Sequence, residues 1–330
     1  MTTAWIALSV MISSEAAAIA RVEPFWSWNT PIVWTAFILF ADSVVFHARR
    51  SSWIRSNGRE FCALALVSIP LWLVFEFYNG FIDNWYYVGL PENTLLRYFG
   101  YAWSFATIWP AIFEGAELVA VWRGLPSPAA SPGVPASPTP PTFPAFPALS
   151  ARPTFPALSA RHTFPAPLAL AALSIFAGAA MLAWPLIWPS PYLAAPVWLG
   201  FILLLEPINV RLGGESLYLD VREGDGSRLT NLIASGLLCG VLWEFWNYWS
   251  RAKWHYTVPI MEHVKIFEMP LPGYLGFPAF ALECFTMYVL TRAVAVRVLG
   301  LRRDDEGASL TSRAGAGNRS PARHGHTIAL

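Results

Sequence analysis

Apolar residues in this chain gather into eight stretches of membrane-spanning length. They lie at about 4–20, 30–48, 61–80 and 98–122, and again at about 168–188, 195–212, 229–250 and 273–298. An α-helix rises 1.5 Å per residue, so roughly 20 apolar residues cross a hydrocarbon core of about 30 Å. The pattern predicts an all-α polytopic membrane protein with about eight transmembrane helices. The first stretch has a second reading. Ala16-Ala17-Ala18 after Ala4–Ile12 resembles a signal-peptide cleavage site, but no positive charge precedes the apolar run, as a signal requires. Residues 4–20 are therefore expected to be a retained first helix.

The eight stretches form two sets of four. Val33-Trp34 returns as Val197-Trp198, and Phe75-Glu76-Phe77-Tyr78-Asn79 as Trp243-Glu244-Phe245-Trp246-Asn247. Trp85-Tyr86-Tyr87 returns as Trp254-His255-Tyr256, and Pro110-Ala111 before Glu114 as Pro278-Ala279 before Glu283. Four matches in order, with little drift in spacing, predict two four-helix repeats over 1–123 and 168–300. An even number of helices per repeat inserts both the same way up, so the pseudo-symmetry axis should follow the membrane normal. Residues 124–167 are rich in Pro, Ala and Ser and predict an unstructured linker, and 301–330 a polar, disordered tail.

Composition agrees with the pattern. Of 330 residues 55% are hydrophobic and 13% charged, and the mean hydropathy is +0.43. Soluble domains carry about 25% charged residues. A net charge of +1 supplies no basic face, which argues against a nucleic-acid partner. Cys62, Cys239 and Cys284 lie in apolar segments and do not align between the halves, so neither a disulfide framework nor a thiolate metal site is expected. Arginines set the topology. Arg49, Arg50, Arg55, Arg59, Arg211, Arg222 and Arg228 fall between the second and third helices of the two sets. The positive-inside bias then predicts cytoplasmic N- and C-termini in a bacterial inner membrane.

Each half keeps acids inside apolar stretches: Asp42 and Glu206, Glu76 and Glu244, Glu114 and Glu283. Such groups are costly in lipid and are candidates for function. Asp42 and Glu206 neighbour loops, where a structural role is as natural. Glu76 with Asn79, and Glu244 with Asn247, are three apart and share a helix face. Apolar surroundings disfavour a carboxylate's charge, leaving a neutral acid that can donate a proton. The candidate catalytic residues are thus Glu244, Glu76, Glu283 and Glu114. Asn247, Asn79, Trp254, Tyr256, Trp85 and Tyr87 are the candidate substrate-binding residues. The aromatic triplets serve either as an interfacial belt or as a pocket wall that faces a cation. No Glu-x-x-His, His-Glu-x-x-His, Gly-x-Ser-x-Gly or nucleotide-binding fingerprint occurs, so no metal or cofactor is expected.

In the second half an acid, a Trp-x-Tyr, a Pro-Leu step and an aromatic helix follow in order from Glu244 to Pro278. This order and the tandem layout resemble the membrane-integral lycopene cyclase domain. The family's acidic pair after Pro-Leu is replaced here by Pro272-Gly273, and the first half lacks the Pro-Leu step. The resemblance implies cyclisation of an isoprenoid by acid–base chemistry, with Glu244 as the helix acid and Trp254 and Tyr256 as the aromatic pair. Three functions stay open on the residues alone: a membrane-embedded enzyme acting on an isoprenoid or other lipid, a proton-coupled transporter with its site between the repeats, and a non-catalytic scaffold. No protein partner is indicated.

Overall fold

The structure is a computed structural model that describes residues 1–125 and 168–298. It is all-α and polytopic, with eight helices among the described residues long and apolar enough to cross a membrane. In the first half these are α1 (Thr2–Ile19), α2 (Phe25–Arg49), α4 (Gly58–Ile82) and α5 (Thr94–Trp122), with a short α3 (Trp53–Ser56) between α2 and α4. In the second half they are α6 (Leu168–Ile187), α7 (Ala194–Arg211), α9 (Ser227–Trp249) and α10 (Gly276–Val298). A short α8 (Leu217–Arg222) stands between α7 and α9. The chain divides into units Met1–Leu290 and Thr291–Leu330, and every contact below lies within the first. The linker expected at 124–167 lies outside the described residues except for Gly124 and Leu125, as does the tail expected at 301–330.

The helices run past their apolar stretches. α2 starts at Phe25 rather than near 30, α4 at Gly58 rather than 61, and α5 at Thr94 rather than 98. A helix needs apolar side chains only where it meets lipid; beyond that, caps decide its end. Asn93 shows this, accepting a hydrogen bond from Leu96 N at 3.1 Å at the start of α5.

Matching positions of the two halves make matching contacts. Asp42 accepts from Ile54 N at 3.0 Å at the start of α3. Glu206 accepts from Ser216 Oγ at 2.6 Å and Tyr218 N at 3.3 Å at the start of α8. Both acids thus meet free N–H groups at a helix N-terminus, a structural use that needs no substrate. Where α6 crosses α7 the backbones touch. A Cβ on Gly178 would stand 2.5 Å from Leu204 N and 2.7 Å from Gly200 O, so glycine is required for this approach.

The halves interlock through their longest helices. Ser235 Oγ of α9 donates to Ile112 O of α5 at 2.6 Å, and Trp109 Nε1 of α5 donates to Cys284 O of α10 at 2.9 Å. Trp72, Phe75, Trp109 and Trp198 all pack against Phe280. One buried core therefore runs across both halves.

Four short strands among the described residues were not expected. β1 (Trp85–Val88) pairs antiparallel with β2 (Lys253–Tyr256), with Trp85 opposite Tyr256 and Tyr87 opposite Trp254. Tyr86 pairs with His255, so the ribbon has a local two-fold through that pair. β3 (Lys265–Ile266) and β4 (Met269–Pro270) form a small hairpin in the second half. Both ribbons lie at the bundle end that carries the α4–α5 and α9–α10 connections.

Candidate functional site

The site begins with a duplicated local arrangement. Asn247 Nδ2 donates to Trp254 O at 2.9 Å and its Oδ1 accepts from Trp254 N at 3.0 Å. Asn79 does the same for Trp85, through Nδ2 to O at 2.8 Å and N to Oδ1 at 3.2 Å, and also accepts from Asn84 N at 2.9 Å. These backbone groups are on the ribbon edges that face away from the other strand. Each asparagine stands in for a missing third strand and satisfies an edge that would otherwise be orphaned.

Successive strand residues face opposite sides, and cross-strand partners face the same side. Trp85, Tyr87, Trp254 and Tyr256 therefore share one face, turned into the bundle. They roof a cavity of about 510 Å³. Its walls come from both halves and include Trp34, Trp72, Tyr101, Trp198, Trp243 and Phe280. Trp243 lies 5.3 Å from Trp254 and 5.8 Å from Trp72, centroid to centroid. Near the roof α2 departs from helical geometry at Trp28 (φ −117°, ψ 15°), three residues before Pro31. Proline has no N–H to give to Ser27 O, and Ser27, Trp28 and Pro31 all line the cavity. Met269, Pro272 and Gly273, in and after the β3–β4 hairpin, close one side.

The carboxyls stand behind this aromatic wall. Glu76 Oε1 accepts from Tyr87 OH, from Trp72 Nε1 at 2.8 Å and from Trp85 Nε1 at 3.2 Å. Glu244 Oε1 accepts from Tyr256 OH at 2.9 Å, and Trp254 Nε1 donates to that phenol oxygen at 2.8 Å. The group presented to the cavity is thus a phenol, with the acid one bond further back. Burial pushes the phenols of Tyr87 and Tyr256 well above their ordinary 10.0. Both tyrosines are neutral at physiological pH.

An acid and an asparagine inside apolar stretches of both halves lead one to expect both Glu–Asn pairs buried at one cavity, and the structure buries one pair. Glu244 and Asn247 are fully buried, whereas Glu76 and Asn79 are half-buried. The four glutamates also do not share the cavity. Glu76 stands six residues from the ribbon end of α4, about 9 Å along the axis, and Glu114 twenty residues from the ribbon end of α5, about 30 Å. Glu114 and Glu283 are fully buried, do not line the cavity, and have no hydrogen-bond partner at either oxygen. The structure thus assembles Glu76, Glu244, both asparagines and the four ribbon aromatics, and leaves Glu114 and Glu283 apart.

Four groups escaped the sequence reading. Trp72 lies one helical turn from Glu76, a spacing that could have revealed it. Glu15, an acid in the first apolar stretch, accepts from Asn29 Nδ2 at 2.7 Å, and that amide also reaches Trp246 O at 3.4 Å. Arg49 and Glu117 form an enclosed ion pair at the opposite end of the bundle. Glu268 of the hairpin binds Lys253 Nζ and His255 Nδ1, each at 2.9 Å. Among the described residues no group of three or more His, Cys, Asp or Glu is placed to hold a metal ion, and the three cysteines are free. Comparison of the chain with protein-family models, with curated proteins and with solved structures finds no match.

Proposed function

We propose that this protein is a membrane-embedded acid–base enzyme acting on an isoprenoid or a similar unsaturated lipid chain, in a bacterial inner membrane with both termini cytoplasmic. In this reading the two halves are repeats, each supplying one carboxyl, one phenol and one strand to a shared cavity. The observation that carries the proposal is the pairing of Tyr87 with Glu76 and of Tyr256 with Glu244 on the wall of one aromatic cavity. Aromatic faces attract a passing cation, at about 0.5–2 kcal/mol per contact, and a mainly apolar lining limits its capture by water. Protonation of a double bond needs both. A cavity of about 510 Å³ falls in the range that holds a small-molecule-sized ligand. That suits one end of a long polyene rather than the whole of it, in keeping with the lycopene-cyclase-like order of residues.

The test is expression in a host that accumulates an acyclic coloured polyene, with chromatography of the extracted lipids. Wild-type protein should yield a product of unchanged mass and altered retention, and Glu244→Gln at equal protein level should yield at least 100-fold less. Unchanged lipids with the wild-type protein across acyclic isoprenoid substrates would defeat the proposal. A carrier is the second reading, because the cavity is walled by both halves, where many transporters bind their cargo. Counterflow of a labelled isoprenoid in proteoliposomes, with no chemical change, would favour it.

A further inference from the structure

The two carboxyls behind the cavity match in sequence but not in surroundings. Three donors converge on Glu76 Oε1: Trp72 Nε1, Trp85 Nε1 and Tyr87 OH. Glu244 Oε1 accepts from Tyr256 OH; the Trp254 indole and the Glu268 N–H stand close to this carboxyl without closing a hydrogen bond of good geometry, and its Oε2 is buried with no hydrogen-bond partner. One position contributes most to the difference. Glu244 stands 168 residues after Glu76, and Gly240 stands 168 residues after Trp72. The second half therefore has no indole where the first has one. Nor is there room for it, since a Cβ on Gly240 would fall 2.3 Å from Phe277 Cδ2 and 2.8 Å from its Cβ. The other indole is also redirected: Trp85 donates to the carboxyl, whereas Trp254 donates to the Tyr256 oxygen.

Hydrogen-bond chemistry gives these differences a direction. An oxygen that receives three donors suits the acceptor-only carboxylate, whose charge strengthens each bond. A carboxyl with one donor and an enclosed, unpartnered oxygen has little to offset the loss of water, which favours the neutral acid. A phenol oxygen accepts two hydrogen bonds. With Glu244 protonated, the Tyr256 oxygen can accept from both Trp254 and Glu244, and its own proton is then free to point into the cavity.

We propose that the halves have divided the chemistry, with Glu244 holding the proton that replenishes Tyr256 as Tyr256 protonates the substrate, and Glu76 held ionised to take up the Tyr87 proton as Tyr87 deprotonates it. This rests on the acid–base reading above. Tyr256 gives its phenolic proton to an alkene carbon. A C–H bond forms from the π pair, and the neighbouring carbon becomes cationic among the rings. The Glu244 proton moves to the Tyr256 oxygen. The cation then loses a proton to the Tyr87 oxygen as the Tyr87 proton passes to Glu76, and the released C–H pair forms a new double bond. No electrons are gained or lost, so the product is an isomer, with a new ring where the cation first adds to a second double bond. The cycle closes when Glu76 releases its proton and Glu244 regains one. The tyrosines touch substrate, and the glutamates act through them.

Infrared difference spectroscopy of the full chain in lipid nanodiscs tests the assignment without any substrate. The Glu244→Gln spectrum should lose a protonated carboxyl C=O band, and the Glu76→Gln spectrum should lose carboxylate bands only. The tyrosines provide a check should either variant fold poorly. Tyr256→Phe should shift the acid band and Tyr87→Phe should leave it in place. Loss of the protonated band in Glu76→Gln, its retention in Glu244→Gln, or an identical response of the two would overturn the division. Expected spectra with no turnover in the polyene host would overturn the enzyme reading alone and leave the charge assignment standing.

Discussion

Asn247→Ala is the sharpest structural perturbation of the site, because that side chain pins the strand bearing Trp254 and Tyr256. Asn247 is fully buried, and its two hydrogen bonds serve the N–H and the C=O of Trp254, itself 8% exposed. Alanine leaves both backbone groups without side-chain partners at a fully buried position. Each stranded group costs about 1–3 kcal/mol, so the pair should cost about 3 kcal/mol. Asn79→Ala removes three bonds, yet Asn79 is half-buried and water can replace them, which leaves about 1 kcal/mol. At roughly 2–4 °C per kcal/mol, Asn247→Ala should lower the unfolding midpoint by about 6–12 °C and Asn79→Ala by about 2–4 °C. Thermal unfolding in detergent, followed by tryptophan fluorescence, reads both. Equal shifts in the two variants, or a shift under about 2 °C for Asn247→Ala, would refute the idea that buried asparagine replaces a missing strand.

Two further outcomes follow from packing and charge. Gly178→Ala places a Cβ against backbone atoms of α7 that cannot swing aside, so it should cost about 1–3 kcal/mol, while Gly58→Ala, which meets nothing within 4 Å, should be neutral by the same unfolding assay. Burial opposes ionisation of Glu268, but hydrogen bonds from Lys253 and His255 and their charges outweigh it and hold this carboxyl below its ordinary 4.5. A depressed carboxyl stabilises the fold above its ordinary pKa and loses that contribution as pH falls through the folded value. Stability should thus gain nothing from Glu268 once the pH is well below 4.5, and Glu268→Gln should narrow the difference in midpoint between pH 6 and pH 3.5; an unchanged difference would show that the hairpin is not fastened by charge.

The spans were legible because lipid demands long apolar runs, and eight of them are written plainly in the chain. Their ends were less legible, since caps such as Asn93 are single residues whose meaning depends on backbone geometry. The β1–β2 ribbon was not legible at all. Each strand has only four residues, and its partner lies more than 160 residues away. The triplets Trp85-Tyr86-Tyr87 and Trp254-His255-Tyr256 stood out by composition, but only pairing reveals which rings face inward. Glu114 and Glu283 drew notice for the same reason as Glu76 and Glu244, an acid in an apolar run. Depth separates Glu114, which counting residues to the helix end shows; Glu283, seven residues from the ribbon end of α10, lies about as deep as Glu76, and only packing sets it apart from the cavity. Arg49 with Glu117 could not be foreseen, because the pair joins two helices at a distance that only packing sets.

The Glu-x-x-Asn element also explains why two halves with different connections reach similar geometry. From Asn79 to Trp85 is six residues, and from Asn247 to Trp254 seven. Loop length therefore does not position the strands. In both halves the asparagine holds the Trp backbone, and the two-residue period of a strand puts the next inward ring, Tyr87 or Tyr256, on the same side. The glutamate lies one helical turn before the asparagine on the same face, which brings its carboxyl to that phenol. Asparagine thus sets the register and glutamate uses it. Gln at the acid position should leave the strand pinned, whereas Ala at the asparagine position should disturb both the phenol and the roof of the cavity. That difference separates a positioning residue from one that carries the proton.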